Sequence, residues 1–359
     1  MNVLKKINNT RRNVMRSITK NIGSSSADTN VRLSSKATIK RVLICRPNHR
    51  LGNLLLTTPL VQEVAATFPD CKIDLFVKGG LAPILFENYS YVDRIIKLPK
   101  KHFKQLHTYL SGWFSLKTRR YDIVINVAEG SSSGRLSAQF TNAKYKFFGE
   151  VDADTQLKHP DQVHIAKHPV YSFRNHIARL GITPNSGPVP LLDLKLSPDE
   201  IAEGKKTLAA ITGNPDKKTI CLYTFATGSK CYCPTFWDDF YSKLKAEYPN
   251  HNVIEVLPVE NISQITHTIP KFYSTDIRNI GAVIANTCLF IGADCGIMHL
   301  ASAAHTPTVG LFSGNNIEKY QPYGNNSIAI STNSGCTTNW LEVINSVLTA
   351  NKCLQKIGA

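Results

Sequence analysis

The sequence predicts an α/β protein with two doubly wound, parallel-sheet domains that face each other across a cleft. Short apolar runs alternate with helical patterns along most of the chain, and this alternation is typical of parallel sheets. The length of 359 residues exceeds what one hydrophobic core usually serves, so two domains are expected. A turn-rich run, TPNSGP at 183–188, separates the two halves.

The first half begins with a buried strand and continues with repeats of the same alternation. Apolar residues at helical spacing behind Gly52 predict a helix over 51–68. The residues between these two elements, Pro47 to Arg50, form a turn. Five runs are predicted to be strands: 41–46, 72–77, 92–98, 121–127 and 144–148.

The second half repeats this organisation. Ser197 and Glu200 have capping-box spacing with Pro198 between them, which predicts a helix over 198–211. Further strands are predicted at 219–223, 252–257, 288–291 and 307–312, and further helices at 234–248, 276–286 and 339–352. No Gly-x-Gly-x-x-Gly follows the first strand of the chain, so an ordinary dinucleotide site is not expected there.

The predicted organisation has three parts: a tail over 1–39, a first domain over 40–185 and a second over 186–359. Residues 1–40 contain nine Lys or Arg and one acid, so this short stretch holds half of the net charge of +16. Apolar residues of 1–22 fit one helical stripe, which is typical of a helix on an anionic membrane surface. A disordered basic tail is the alternative. Nucleic acid is not expected as a partner, because the tail has no aromatic residue to stack on bases.

The nine cysteines are scattered and no secretory signal precedes them, so a cytoplasmic protein with reduced thiols is expected. No apolar stretch approaches the roughly 18 residues of a membrane span. Cys231 and Cys233 have no second Cys or His pair at zinc-like spacing, so no metal site is expected. These features place the protein in the cytoplasm, with the inner face of the cytoplasmic membrane as the surface that the tail would bind.

The richest stretch for function is CLFIGADCGIMHLASAAHTPTVGLFS at 288–313. It predicts a strand, a glycine-bearing turn, a helix and a second strand. Such a turn lies at the carboxyl end of its strand, where helix amides favour anionic ligands. The candidate ligand-facing residues are Asp294, Cys295, Gly296 and His299. The alternative is a tight turn in which the aspartate only caps the helix.

Three segments of the chain carry a family resemblance. DCGIMHLA at 294–301, followed by Pro307 and GLF at 310–312, resembles the carboxyl-terminal signature of the heptosyltransferases, glycosyltransferase family 9. Cys295 departs from it, because the family has Thr or Ser there. RPNHRLGNLLLTTPL at 46–60 is similar to the family's amino-terminal Gly-Asp loop, and GSK at 228–230 with Pro234 and Phe236 is a third match. The matches occur in the family's order between residue 41 and about residue 330.

The resemblance implies a GT-B fold and an inverting, metal-independent glycosyltransferase. It implies a nucleotide sugar as donor, no separate cofactor, and a lipopolysaccharide-core or related surface glycan as acceptor. Lys230 matches the lysine that contacts donor phosphate in the family. The turn beside it carries Thr224, Thr227, Gly228 and Ser229, which offer hydroxyls and a close-approach glycine to the donor. The loop from Asp294 to His299 is expected to bind phosphate and donor sugar.

One position departs from the family in a way that bears on catalysis. The family places an aspartate, proposed as the base, after the loop glycine, and this chain has Asn53 there. An amide can orient a hydroxyl but does not hold a proton at neutral pH. His49 in the same turn and Glu129 after the strand at 121–127 are the candidate replacements. Two alternatives follow from the loss: a sugar-nucleotide or glycan-binding pseudo-transferase, and a GT-B sugar-nucleotide epimerase.

Overall fold

The computed structural model describes residues 13–14, 17–19, 22–23, 39–100, 104–332 and 339–357. The chain forms two compact units. The first consists of Met1–His49, Thr57–Pro83 and Tyr89–Pro190, and the second of Arg50–Leu56, Ile84–Asn88 and Leu191–Ala359. Most of the predicted tail helix over 1–22 lies outside the described residues, and the predicted domain bounds stay a prediction.

The first unit is built on a five-stranded parallel sheet. Its strands are β1 (Arg41–Arg46), β2 (Lys72–Lys78), β3 (Val92–Leu98), β4 (Tyr121–Asn126) and β5 (Ala143–Phe147), in the order β3-β2-β1-β4-β5. The central strand β1 is buried from Val42 to Arg46 because helices cover both faces of a doubly wound sheet. The chain order reverses beside β1, so its neighbours β2 and β4 leave a crevice at their carboxyl ends.

The predicted helix over 51–68 is wrong as a single element. It is two helices, α1 (Leu51–Leu55) and α2 (Thr58–Thr67), with Pro59 at the start of the second. Proline has no N–H to bond to the carbonyl four residues back, so the hydrogen bonds of α1 do not continue through Pro59. Helical spacing of apolar residues continues across the break, so spacing alone did not reveal it.

The remaining helices of this part of the chain connect successive strands or follow the last one. They are α3 (Ala82–Leu85), α4 (Leu106–Phe114), α5 (Ser132–Phe140), α6 (Ala153–Lys158) and α7 (His168–Arg179). Among the described residues, no helix is both long and apolar enough to cross a bilayer.

The second unit has a six-stranded parallel sheet. Its strands are β6 (Thr219–Tyr223), β7 (Asn252–Val256), β8 (Lys271–Phe272), β9 (Leu289–Ala293), β10 (Thr308–Phe312) and β11 (Ile328–Ser331), in the order β11-β10-β9-β6-β7-β8. The two edge strands, β8 and β11, were not predicted because they are short. The prediction of two doubly wound parallel sheets is confirmed.

The helices of the second unit are α8 (Pro198–Thr212), α9 (Pro234–Glu247), α10 (Ile277–Ala285), α11 (Gly296–Ala303), α12 (Ile317–Tyr320) and α13 (Asn339–Ile357). The predicted capping box is confirmed. Ser197 accepts a hydrogen bond from the Glu200 amide, and the Glu200 carboxylate accepts one from the Ser197 amide. Because both bonds fix the first turn, α8 begins where the sequence pattern placed it.

Each unit has a buried arginine that binds both a glutamate and a backbone carbonyl near the point where the chain passes from the first unit to the second. In the first, Arg174 on α7 makes a two-pronged ion pair with the fully buried Glu63, at 2.7 and 2.9 Å, and donates to the Gly187 carbonyl. In the second, Arg278 on α10 pairs with Glu200 and donates to the Lys195 carbonyl. The chain is therefore fixed on both sides of residues 189–194.

Arg278 also explains why a short segment from the middle of the first half belongs to the second unit. It donates a hydrogen bond to the Ile84 carbonyl and lies 3.6 Å from the Glu87 carboxylate. Asn88 adds a bond to the Lys195 carbonyl at 2.7 Å. Residues 84–88 thus contribute partners to a charge cluster of the second unit, which no local sequence pattern indicated.

Candidate functional site

The carboxyl edge of the second sheet brings two loops together. The order of the strands reverses between β6 and β9, which pair directly with Tyr223 opposite Gly292. The loop after β6 carries the Thr227 to Lys230 turn, and the loop after β9 carries Asp294 and Cys295. Ligands of open parallel sheets bind at such a reversal. The two sets of residues predicted to bind the donor therefore share one edge.

An ion pair joins the two loops. The Lys230 ammonium contacts a carboxylate oxygen of Asp294, and it also lies 5.6 Å from the centre of the Tyr320 ring. The lysine side chain is 45% exposed whereas that of Asp294 is only 10% exposed. The Lys230 ammonium is therefore held by a buried carboxylate and is also accessible to solvent. This accessibility would let it bind a second anion.

The turn before Lys230 is open to solvent. Thr227, Gly228 and Ser229 are exposed, and a short 3-10 turn spans Gly228–Lys230. Gly228 has φ of 68°, in the left-handed region that favours glycine, and no atom lies within 4 Å of where a Cβ would be. Backbone conformation rather than crowding therefore favours glycine here, and both neighbouring hydroxyls face solvent.

The alternative in which Asp294 only caps the following helix does not describe this loop. The N-cap residue of α11 is Cys295, and the side chain of Asp294 is engaged by Lys230 instead. Burial raises the pKa of the Cys295 thiol to about 12, so the thiol stays neutral at physiological pH. The first amides of α11, beginning at Gly296, lie beside the ion pair and are the groups that a helix offers to an anion.

The segment 50–56 packs against α11 at His299 and Gly296. His299 is almost fully buried in α11. A Cβ on Gly52 would lie 2.8 Å from the His299 ring and 3.4 Å from the Gly296 Cα, so α1 packs here only because Gly52 has no side chain. Asn53, the next residue, is half-buried on α1. The position where the family has its aspartate thus belongs to the same compact unit as the donor loops.

The other two candidate residues lie at the carboxyl edge of the first sheet. His49 follows β1 and Glu129 follows β4, and these strands are neighbours at the reversal of strand order. The Val127 amide donates to the Cys45 carbonyl at 3.2 Å, so the pairing continues beyond the strand ends. Both candidate side chains are exposed. The first sheet therefore presents an imidazole and a carboxylate at its own crevice.

The sequence did not predict a buried carboxylate that lies beneath the loop after β6. Glu255 on β7 is fully buried and accepts hydrogen bonds from the Thr224 and Ser263 hydroxyls, both at 2.6 Å. Burial raises the pKa of Glu255, and the two hydroxyl donors oppose that shift. Thr224 was expected to offer its hydroxyl to the donor, but it is buried and serves Glu255 instead. An acid inside the apolar run VIEVL was the available signal.

A metal centre is not formed by any part of the chain that the structure describes, since no three His, Cys, Asp or Glu side chains cluster there. Cys231 is half-buried and Cys233 exposed. The described polar groups at the carboxyl edge of the second sheet include the Lys230 ammonium, the Asp294 carboxylate and the exposed residues Thr227 and Ser229.

Comparison with known proteins supports the family. The two doubly wound parallel sheets correspond to the GT-B fold, which solved heptosyltransferase structures share with this chain. A sequence model described as glycosyltransferase family 9 (heptosyltransferase) matches residues 260–343. Over those residues the chain is similar to the glycosyltransferases of that family.

Relatives of known sequence and structure are similar over most of the chain. Lipopolysaccharide heptosyltransferase 3 of Escherichia coli K12 is 25% identical over 300 residues, which cover 77% of this chain and 84% of that protein. A family 9 glycosyltransferase from Veillonella parvula superposes with a TM-score of 0.66 at 18% identity, covering 88% of this chain and 100% of the other. The E. coli ADP-heptose LPS heptosyltransferase II superposes with a TM-score of 0.60 at 15% identity, with the same coverage.

Proposed function

We propose that this protein moves a heptose-like sugar from a nucleotide donor to a lipopolysaccharide-core or related surface-glycan acceptor, with inversion at the anomeric carbon. The observation that carries the proposal is the ion pair between Lys230 and Asp294, which joins the two loops at the strand reversal of the second sheet. E. coli proteins named lipopolysaccharide heptosyltransferase 3 are similar to it over most of its length.

The second unit binds the donor. Lys230 turns from Asp294 to the diphosphate, while the hydroxyls of Thr227 and Ser229 and the amides at Gly296 supply further hydrogen bonds. Asp294, released from the lysine, accepts hydrogen bonds from the sugar hydroxyls. Cys295 fills the helix start as a neutral group, and His299 supports the loop from within the helix.

Transfer replaces one carbon–oxygen bond with another. The acceptor hydroxyl attacks the anomeric carbon, the bond to the diphosphate breaks, and the negative charge on the departing diphosphate is stabilised by Lys230 and the helix amides. The hydroxyl proton passes to His49 or Glu129, and the Asn53 carbonyl orients the hydroxyl. Neither a metal nor a separate cofactor takes part in this scheme.

A screen of nucleotide sugars by thermal shift tests the proposal. A ligand at one hundred times its dissociation constant adds about 2.7 kcal/mol of stability, which gives a clear rise in Tm. The panel contains ADP-, UDP- and GDP-linked sugars, each beside its free nucleoside diphosphate. Transfer is then measured by mass spectrometry of a lipopolysaccharide-core acceptor, with and without a chelator. Failure of every donor to stabilise the protein or to react would reject the proposal.

A second candidate function rests on Asn53. Because this residue replaces the family's carboxylate, the chain could bind donor and glycan without transferring sugar. In that case donors would raise Tm without turnover, and Asn53→Asp would create or raise transfer activity. The epimerase alternative differs from both, since the donor would change its sugar configuration in the absence of any acceptor.

The protein is proposed to act in the cytoplasm, at the inner face of the cytoplasmic membrane, where a glycolipid acceptor is reached from the bilayer surface. The basic, apolar tail is the sequence feature that supports this placement. Fractionation of cells into soluble and membrane-bound protein, with and without a high-salt wash, tests it.

A further inference from the structure

Helix α4 has two adjacent apolar sides, and only one of them packs against the protein. The inner face carries Trp113, whose ring meets the Phe76 ring edge-on at 5.5 Å, and Gly112, where a Cβ would lie 2.8 Å from the Leu98 side chain. Tyr109 also packs against this core. The inner face alone accounts for how the helix is held on the sheet.

The outer face of α4 is apolar and exposed. Leu106, Leu110 and Phe114 are 56%, 46% and 65% exposed, and they follow one another at a spacing of four residues. Residues at this spacing line one side of a helix. Single exposed leucines need no explanation, but an aligned row of three large apolar side chains marks an interaction surface.

A fourth exposed apolar side chain lies beside α4, on the neighbouring helix α5. Phe140, the last residue of α5, is 37% exposed and its ring lies 6.2 Å from the Trp113 ring. The Lys117 ammonium lies 4.7 Å above the Phe140 ring. We name the four exposed side chains of Leu106, Leu110, Phe114 and Phe140 the α4 stripe.

The surroundings of the α4 stripe are cationic. The sequence has no acidic residue between Asp93 and Asp122, and none between Glu129 and Glu150. The exposed basic residues of these two segments include Lys104, Lys117, Arg120 and Lys144, and the Lys117 ammonium lies directly over a ring of the stripe. An apolar row with a cationic border complements a surface that offers hydrocarbon beneath negative charge.

We infer that the α4 stripe and its cationic border dock the protein on an anionic phospholipid bilayer. The charge selects this occupant over a second copy of the chain. A twofold interface through the stripe would bring the two cationic borders together, and like charges brought together across an interface are unfavourable. A bilayer surface with anionic headgroups instead attracts each cation and accepts the apolar side chains between them.

The amino-terminal segment adds an independent observation. The Gly23 carbonyl accepts a hydrogen bond from Arg135 at 3.0 Å, and Gly23 packs against the Phe148 ring. Phe148 belongs to the core cluster that also contains Phe76 and Leu98 beneath α4. Gly23 therefore lies on the side of the first sheet that carries the stripe. Val14 and Ile18, described side chains of the tail, are also exposed.

This inference rests on the proposed glycolipid acceptor. Co-sedimentation of the full-length protein with vesicles tests it. Vesicles that contain 30% phosphatidylglycerol should bind the protein ~10-fold more tightly than vesicles of phosphatidylcholine alone. The double variant Leu110→Ser, Phe114→Ser should bind the anionic vesicles about tenfold more weakly, because two large side chains no longer enter the bilayer. Leu157→Ser, an equally simple change at an exposed leucine of α6, should bind like wild type.

Charge variants separate the two parts of the surface. Lys104→Gln with Lys117→Gln should weaken binding to anionic vesicles by about fivefold for each lysine near the surface and reduce its salt dependence. Lys206→Gln, at an exposed lysine of α8, is the matched control and should change nothing. Unchanged Tm in every variant shows that losses of binding are not losses of folding.

The outcomes are distinct for docking and for catalysis. Wild-type affinity in the stripe variants would overturn the docking inference, and so would a dimer that dissociates on Phe114→Ser in sedimentation velocity. Nucleotide-sugar affinity and transfer to a water-soluble core oligosaccharide should be unchanged in these variants. If wild type docks through the stripe but transfers no sugar to any acceptor, docking stands and the proposed function falls.

Discussion

The two sheets of this chain have the same kind of strand reversal, but their carboxyl edges differ in how completely they are built. In the second unit an ion pair already joins the two loops, and Asp294 and His299 are buried. In the first unit His49 and Glu129 are exposed on separate turns. A site that binds a charged donor benefits from groups fixed in advance. Under the proposed function, this open edge would receive the acceptor, whose own contacts would supply much of its positioning.

The largest expected effect concerns the open edge. A general base contributes about 10²–10⁴-fold in rate, and an unperturbed imidazole has a pKa of about 6.5. If His49 accepts the acceptor proton, transfer should fall as the pH drops through that value, and His49→Gln should remove both the dependence and most of the activity. If Glu129 is the base instead, Glu129→Gln should remove most of the activity.

Each of these variants serves as the control for the other. The pH–rate profile of kcat/KM is measured for wild type, His49→Gln and Glu129→Gln under saturating donor. An active wild type that tolerates both substitutions would contradict both assignments. In that case neither candidate at the edge of the first sheet would accept the acceptor proton, and the difference between the two edges would not bear on catalysis.

The next effect compares the two buried arginines. Arg174→Met leaves the fully buried Glu63 without its cation, and breaking a buried pair costs about 3 to 5 kcal/mol. Arg179→Met on the same helix removes a half-exposed pair with Asp152 and should cost less than about 1 kcal/mol. Urea unfolding, followed by Trp113 fluorescence in the first unit, gives both values. Equal losses would show that the Glu63 pair is not the stronger one.

The arginine of the second unit gives a pH-dependent counterpart. The Arg278 guanidinium lowers the pKa of Glu200 from its ordinary 4.5 to about 2. A depressed carboxyl pKa stabilises the fold above pH 4.5 and loses that contribution as the pH falls toward 2. Glu200→Gln should therefore cost about 2 to 3 kcal/mol at pH 7 and flatten the acid side of the stability curve.

The measurement uses Trp237 and Trp340, which lie in the second unit, in a Trp113→Phe background. Glu203→Gln, at an exposed acid of the same helix, is the control and should shift stability by less than about 0.5 kcal/mol. A Glu200→Gln protein whose stability still falls between pH 4.5 and 2 as steeply as wild type would place the titration on another group.

These two arginines also show what the sequence could and could not predict. The Ser197 and Glu200 spacing predicted a helix start, because a capping box is a local pattern. The role of Glu200 as the partner of Arg278 was not predictable, since 78 residues separate them and only the fold brings them together. The same holds for residues 84–88, which join the second unit through tertiary contacts.

The candidate site shows the same division. Short motifs predicted which loops carry Lys230 and Asp294, and their contact confirms that the loops meet. Thr224 was expected to contact the donor, but its hydroxyl donates to Glu255. That contact was not predictable, because Glu255 lies on another strand. The packing of Gly52 on His299 was equally hidden, because close approach of two helices is not a property of either segment alone.

The third effect tests the carboxyl edge of the second sheet, where the ion pair joins the two loops. Lys230→Ala should weaken nucleotide-sugar affinity by about 1.5 to 3 kcal/mol, because a charge-assisted bond to phosphate is lost. Lys243→Ala, which removes an exposed lysine of α9 paired with Asp239, is the matched control and should leave affinity unchanged. Isothermal titration calorimetry measures both. Unchanged affinity in a folded Lys230→Ala protein would remove the lysine from the donor site.

The smallest effect follows from the ion pair itself. In the free protein Asp294 competes with the donor phosphate for the Lys230 ammonium. Asp294→Asn removes the competing charge while keeping a similar shape, so the free nucleoside diphosphate should bind as well as in wild type or about threefold tighter, a gain of about 0.6 kcal/mol. The complete nucleotide sugar should bind more weakly, because the amide accepts fewer hydrogen bonds from the sugar hydroxyls than the carboxylate does. Titration of both ligands into wild type, Asp294→Asn and the control Asp239→Asn measures the difference. Equal losses for the two ligands would mean that the loop had collapsed, and that Asp294 shapes the edge of the second sheet without contacting the sugar.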